Sequence, residues 1–112
     1  ILLKGGISMI REVLSEPEIL EAEEILLGHS YSVVLYDDDV TPCELVICVL
    51  IDVFGLTAEE CSKKIYEAET KGSAKVKTGC SFSEATDLIR MSEEYCEKKF
   101  GRKSPRFSTE EE

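Results

Sequence analysis

The chain has 112 residues, 43% of them hydrophobic and 32% charged, with 23 acidic against 13 basic side chains and a net charge of −10. That length fits one domain with one modest core, in the composition range of soluble globular proteins. The charge argues against nucleic acid and anionic membrane surfaces as partners and suits a cationic ligand or a basic patch on another protein. No apolar run approaches the roughly 18 residues of a membrane span.

The sequence opens on Ile1 rather than Met, so it reads as a fragment or processed form in which a targeting peptide would not show. Residues 1–30 read as an N-terminal extension, partly helical. Ile7 to Leu27 is helical in composition but broken by Pro17, and Ser15-Glu16-Pro17-Glu18 carries a helix-start signal. From Pro17 on, Ile19, Leu20, Ile25, Leu26 and Leu27 spread around most of the circumference, so this segment either covers the core or awaits a partner. Gly28-His29-Ser30 then reads as a linker.

Tyr31 to Tyr36 is β-branched and aromatic, which predicts a strand. It runs into Asp37-Asp38-Asp39 and then Thr41-Pro42-Cys43-Glu44, a capping box with proline at the first helical position. Leu45, Val46, Val49, Leu50 and Val53 follow at helical spacing. Thr57-Ala58-Glu59-Glu60 repeats the start signal, with Ala58, Cys61, Ile65 and Ala68 as its stripe. Gly28, Gly55, Gly72 and Gly101 stand where left-handed residues end helices. Ser73 to Thr78 alternates small or apolar residues with Lys75 and Lys77, a strand with one wet face. A third helix starts at Ser81 or Ser83 and carries Ala85, Leu88, Ile89, Cys96 and Phe100, its stripe interrupted by Ser92. Arg106 to Thr109 reads as a short last strand, and Glu110 to Glu112 as an acidic tail. The core, residues 31–109, is therefore α+β: a small open β-α-α-β-α-β layer, strands on one side and helices on the other.

Five scattered cysteines without a CxxC pair, and His29 as the only histidine, argue against a zinc site and against a Cys–His nucleophile. They read as small core residues in a reducing compartment. No metal or cofactor is expected.

Three adjacent carboxylates between a strand end and a helix start repel each other. The helix dipole favours negative charge there, and Asp39 or Thr41 can serve the first free amides of the helix. One acid or two suffice for that, so the surplus points to a bound cationic group.

The run Val34 to Val46, followed by Val49-Leu50 and Phe54, resembles the ClpS family. That family reads as an apolar strand, Asn-Asp-Asp, an aromatic, Thr-Pro-Met-Glu-Phe-Val and a long helix. Ala58 to Gly72 resembles its second helix, and the likeness fades after Gly72. The resemblance implies an adaptor for Clp unfoldase–protease machines that recognises a bulky hydrophobic N-terminal residue, and so not an enzyme. On that basis Asp37 and Asp38 hold the α-ammonium of the substrate. The family's third polar contact, a histidine, is Glu69 here; either the ammonium is held more tightly or Glu69 points to solvent. Asp37, Asp38 and Glu69, crowded around one site, should raise one another's pKa, so that at least one titrates upward when the pocket is empty.

The implied apolar pocket is Thr41, Cys43, Val46, Ile65, Ala68 and Phe107. Cys43 replaces a methionine, Ile65 a methionine and Ala68 a valine, so the pocket should be roomier unless Tyr36 or Phe107 refills it. Accepted first residues would then be Leu, Phe, Tyr and Trp, with Ile and Val added. The implied partner is the N-terminal domain of a ClpA- or ClpC-type AAA+ unfoldase, with Glu84 and Asp87 as contacts. The compartment is expected to be a plastid or apicoplast stroma, with the bacterial cytoplasm as the alternative. Rival readings are a ClpS-like domain of a ubiquitin ligase, an interaction module such as the ribosomal-stalk C-terminal domain, which shares the fold without the acids, and a Ca²⁺ or Mg²⁺ site on the three carboxylates.

Overall fold

Four successive buried residues, Ser32 to Leu35, mark a strand covered on both faces and paired on both edges. In a computed structural model, which describes residues 28–112, this strand β1 (Tyr31–Tyr36) is the centre of a three-stranded antiparallel sheet. The following elements are α1 (Cys43–Asp52), α2 (Ala58–Lys71), β2 (Ser73–Cys80), α3 (Phe82–Phe100) and β3 (Phe107–Glu111), in the expected order. The strand order is β2-β1-β3. Leu35 pairs with Ala74 on one side and Phe107 on the other. The expected helix in residues 1–27, with its Ser15 start, lies outside the described residues.

Local sequence accounts for most of the boundaries. Thr57 and Glu60 form the complete capping box: the Thr57 hydroxyl accepts from the Glu60 amide at 3.1 Å, and the Glu60 carboxylate from the Thr57 amide at 3.0 Å. Gly72, at φ 92°, ends α2 in the left-handed region where a side chain would be strained. Of the two candidate serines, Ser81 caps α3, accepting from the Glu84 amide at 3.0 Å. The capping box expected at α1 does not form. Its N-cap is Pro42, whose side chain has no acceptor, and Thr41 lies one residue outside, donating its hydroxyl to Asp38.

β2 buries Ala74 and Val76 and exposes Lys75 and Lys77, as the alternation predicts. It runs two residues further than expected, to Cys80, through a register slip opposite Tyr31 to Val34. β3 likewise absorbs most of what reads as a tail. Glu110 and Glu111 pair with Ser32 and Tyr31. Glu112 is tied down: its carboxylate accepts from the hydroxyls of Ser32 and Ser30 and from the Gly79 amide at 2.9 Å. These three donors, Ser32 foremost, hold the Glu112 carboxyl below its ordinary 4.5. A depressed pKa means the stabilisation is present above about pH 4.5 and is lost as pH falls through the folded value. Glu112→Gln should therefore lower the melting temperature at pH 7, with the gap to wild type closing in melts recorded below pH 4.5; a gap that does not change with pH would show that charge plays no part.

The helices bury their stripes against the sheet. Val33 and Leu35 of β1 meet Leu50 of α1, Cys61 and Ala68 of α2, Ala74, Val76 and Cys80 of β2, and Ala85 of α3. A second cluster joins Leu45 and Val49 to Cys96. Phe107 packs there, its ring 5.1 Å from that of Phe54. Cys61, Cys80 and Cys96 are core residues whose thiols burial pushes upward, whereas Cys43 is exposed and Cys48 half-buried. Ser92 is fully buried; its hydroxyl is 2.9 Å from the Ile89 carbonyl oxygen and 3.0 Å from Ser104 Oγ. The interruption in the α3 stripe is thus a polar tie to the α3–β3 loop.

Candidate functional site

The acidic turn is fixed from both sides. The Asp37 amide donates to the Gly72 carbonyl at 3.0 Å, joining the turn to the end of α2. One residue earlier, the Tyr36 amide donates to the Arg106 carbonyl at 2.9 Å, joining it to the α3–β3 loop. Tyr36 is held further by Ser108, whose hydroxyl donates to the phenol at 2.9 Å, and by the Arg106 guanidinium 5.0 Å from its ring centroid.

Asp38 organises the turn itself. Its Oδ1 accepts from the amides of Val40 (2.9 Å) and Thr41 (2.7 Å), and Oδ2 accepts from the Thr41 hydroxyl (2.8 Å). This is the side-chain-to-backbone closure that aspartate favours before a helix. It corrects the assignment of capping to Asp39 or Thr41. The Thr41 hydroxyl and amide, then the Val40 amide and the Arg106 charge, hold the Asp38 carboxyl below its ordinary 3.8. The expected upward titration is reversed at this residue, because donors aimed at the anion outweigh the partial burial that opposes its charge. An ionised carboxylate has about four lone-pair sites; Asp38 spends three on the turn and keeps one on Oδ2.

Around this turn lies a cavity of about 80 Å³. Asp37, Asp38 and Glu69 stand on its polar side, with Thr41, Cys43, Val46, Ile65 and Ala68 beside them. Helical spacing explains the convergence: Cys43 and Val46 are three apart on α1, and Ile65, Ala68 and Glu69 are at i, i+3 and i+4 on α2. Asp37 and Glu69 are exposed and Asp38 half-buried, while Leu35 and Ala68 are buried. An acidic rim over an apolar floor fits a cation attached to an apolar group.

Phe107 does not line this cavity; it is on β3 against Phe54, and the loop before it supplies Pro105 instead. Leu35, Tyr36 and Pro105 complete the lining. Leu35 and Tyr36 are the strand end that precedes the acids, a placement strand alternation offers; nothing in the sequence marks Pro105. Glu84 and Asp87 are exposed in the first turns of α3 and do not line the cavity; Asp87 pairs with Arg90 at 3.1 Å. Among the described residues no group of three or more His, Cys, Asp or Glu side chains could hold a metal ion, the three turn acids included. Nor is any described helix long and apolar enough to cross a membrane.

The model of the family described as "ATP-dependent Clp protease adaptor protein ClpS" matches residues 28–100. The chain belongs to the ClpS family. It is 33% identical over 55 residues to the ClpS adapter protein of Treponema denticola, covering 49% of this chain and 54% of that one. With the ClpS adapter of Nitratidesulfovibrio vulgaris it shares 38% over 45 residues, 40% of this chain and 43% of the relative. The matches thus span about half the length of these relatives. A solved structure of Agrobacterium tumefaciens ClpS2 bound to L-phenylalaninamide superposes with a TM-score of 0.65 at 28% identity, over 75% of this chain and 98% of that one. The β-α-α-β-α-β order of this ClpS-family chain is that of the adaptor fold.

Proposed function

We propose that this chain binds the free N-terminal residue of proteins whose first side chain is bulky and apolar, and delivers them to a ClpA- or ClpC-type AAA+ unfoldase for proteolysis. The observation that carries the reading is the cavity with carboxylates at the rim and apolar residues at the floor. L-phenylalaninamide, bound by the Agrobacterium relative, has that chemistry: an α-amino group beside a large apolar side chain. An ammonium has three N–H donors, and the free lone pair on Asp38 Oδ2 with the exposed carboxylates of Asp37 and Glu69 provides three acceptors. Each such bond contributes about 1.5–3 kcal/mol, and burying one large apolar side chain about 1.5–3 kcal/mol. With the upper ends of these ranges and the low end of the cost of association, about 4 kcal/mol, the sum reaches roughly −8 kcal/mol, a micromolar dissociation constant. The reading involves no covalent chemistry. Glu84 and Asp87 are the proposed unfoldase contacts; the proposed compartment is a plastid or apicoplast stroma, a reading supported by the scattered cysteines and the departures at Cys43 and Glu69, with the bacterial cytoplasm as the alternative.

Cys43 and Ala68 are smaller than the methionine and valine of the family pattern, which enlarges the cavity and admits β-branched first residues. The test is fluorescence anisotropy with labelled peptides that begin with Phe, Leu, Ile or Val, each free and N-acetylated. Free Phe and Leu peptides should bind in the micromolar range and their acetylated forms should not, because acetylation removes the charge and a donor. Equal binding of the acetylated peptides would end the amine reading. Ile and Val peptides about 100-fold weaker than Leu, a gap of about 2.7 kcal/mol, would end the claim of an enlarged cavity alone.

A further inference from the structure

Five of the 13 basic residues fall within residues 98–109, a stretch with no acid in a chain that has 23. Three of them, Arg102, Lys103 and Arg106, are exposed on the α3–β3 loop. Among the described residues none of these three pairs with a carboxylate, whereas Lys63, Lys64, Arg90 and Lys99 each do. The loop is held in place. Gly101 turns it at φ 62°, Ser104 is tied to buried Ser92, Pro105 is buried, and the Arg106 carbonyl accepts from Tyr36. Three cations are therefore presented at fixed positions.

Their position relative to the amine site is the second observation. Asp38 and Thr41, which line that site, also line a groove of about 440 Å³ whose other wall is Arg102, Lys103, Ser104 and Arg106. The Arg106 charge already acts on Asp38. For a polypeptide whose ammonium is held at Asp38 and which follows this groove, about 3.3 Å per extended residue puts positions 2–4 within about 10 Å of the amine.

We propose that the groove is a second subsite that takes acidic side chains at positions 2–4 of the bound chain. The substrates of this chain are then polypeptides with a bulky apolar first residue followed by Asp or Glu. This deepens the amine-binding reading and rests on it. Most of the surface, in a chain of charge −10, repels such a sequence; the loop next to the site is where it is attracted.

The experiment uses the full chain and three labelled peptides that begin Phe-Glu-Glu, Phe-Ser-Ser and Phe-Lys-Lys and are otherwise identical. At about 50 mM salt the acidic peptide should bind roughly five- to tenfold tighter than the neutral one, and the lysine peptide weaker than both. At about 0.5 M salt, where the screening length falls to a few ångströms, the spread should shrink to about twofold. The double variant Arg102→Glu, Lys103→Glu should invert the order. Equal affinities, or a preference of the wild-type chain for the lysine peptide, would overturn the subsite and leave the amine reading intact. Failure of all three peptides to bind would overturn both.

Discussion

Asp38→Ala should abolish measurable binding of a Phe-initiated peptide and also loosen the turn. The two effects have separate causes, and Asp38→Asn separates them. Alanine removes the acceptor for the Val40 and Thr41 amides and for the Thr41 hydroxyl, at a cost of about 1–2 kcal/mol in stability, as for loss of a helix N-cap. Asparagine keeps an amide oxygen for the two backbone donors, and its NH₂ can donate to the Thr41 oxygen. Its stability should stay within about 0.5 kcal/mol of wild type, near the low end for loss of a cap. Binding should still fall by roughly 10- to 150-fold, the equivalent of one charge-assisted hydrogen bond. Isothermal titration of both variants beside urea melts checks this. If Asp38→Asn binds within about twofold of wild type, Asp38 is only a structural residue and the ammonium belongs to Asp37 and Glu69. Because the Asp38 pKa is depressed, its contribution to stability is present above its ordinary 3.8 and is lost only as pH falls through the lower folded value.

Leu50→Ala should come close to unfolding the domain. Leu50 is fully buried where α1 meets Val33 and Leu35 of the central strand and Cys61 and Ala68 of α2. Truncating a buried leucine costs about 2–5 kcal/mol, the transfer term plus the cavity. A domain of this size has only about 5–15 kcal/mol to lose. The core has little means of closing over the gap, because many of its neighbours here are small: Cys61, Ala68, Ala74, Cys80 and Ala85. Urea unfolding should show a midpoint lowered by that free energy divided by the slope, with the slope unchanged. A loss below about 1 kcal/mol would mean that the helix–sheet interface is not close-packed at Leu50.

The same compact core explains which parts of the candidate site were readable in advance. Asp37, Asp38 and Thr41 are contiguous, so any strand–turn–helix places them together. Cys43 with Val46, and Ile65 with Ala68 and Glu69, follow from helical spacing once each helix is recognised. Phe107 and Pro105 are exchanged relative to the expectation because Phe107, paired with Leu35, packs against Phe54, while the loop before β3 brings Pro105 to the cavity. The fate of Thr41 was equally hidden. Thr41-Pro42-Cys43-Glu44 satisfies the capping pattern, but α1 takes Pro42 as its N-cap, and Thr41, one residue earlier, turns its hydroxyl proton to Asp38.

The sequence by itself determined the element order, the Thr57 start and, to one of two serines, the start of α3, the glycine stops of α2 and α3, and the acidic turn. These depend on neighbours within about four residues, where hydrogen-bond geometry and side-chain period leave little choice. Only the tertiary structure decided that the apparent acidic tail is strand, because Glu112 finds its donors at Ser30, Ser32 and Gly79. It alone decided that Asp38 titrates downward, and that a loop some sixty residues further on brings Pro105 and Arg106 against the acids. Such contacts come from the closure of β3 onto β1, a long-range pairing whose register no local pattern carries.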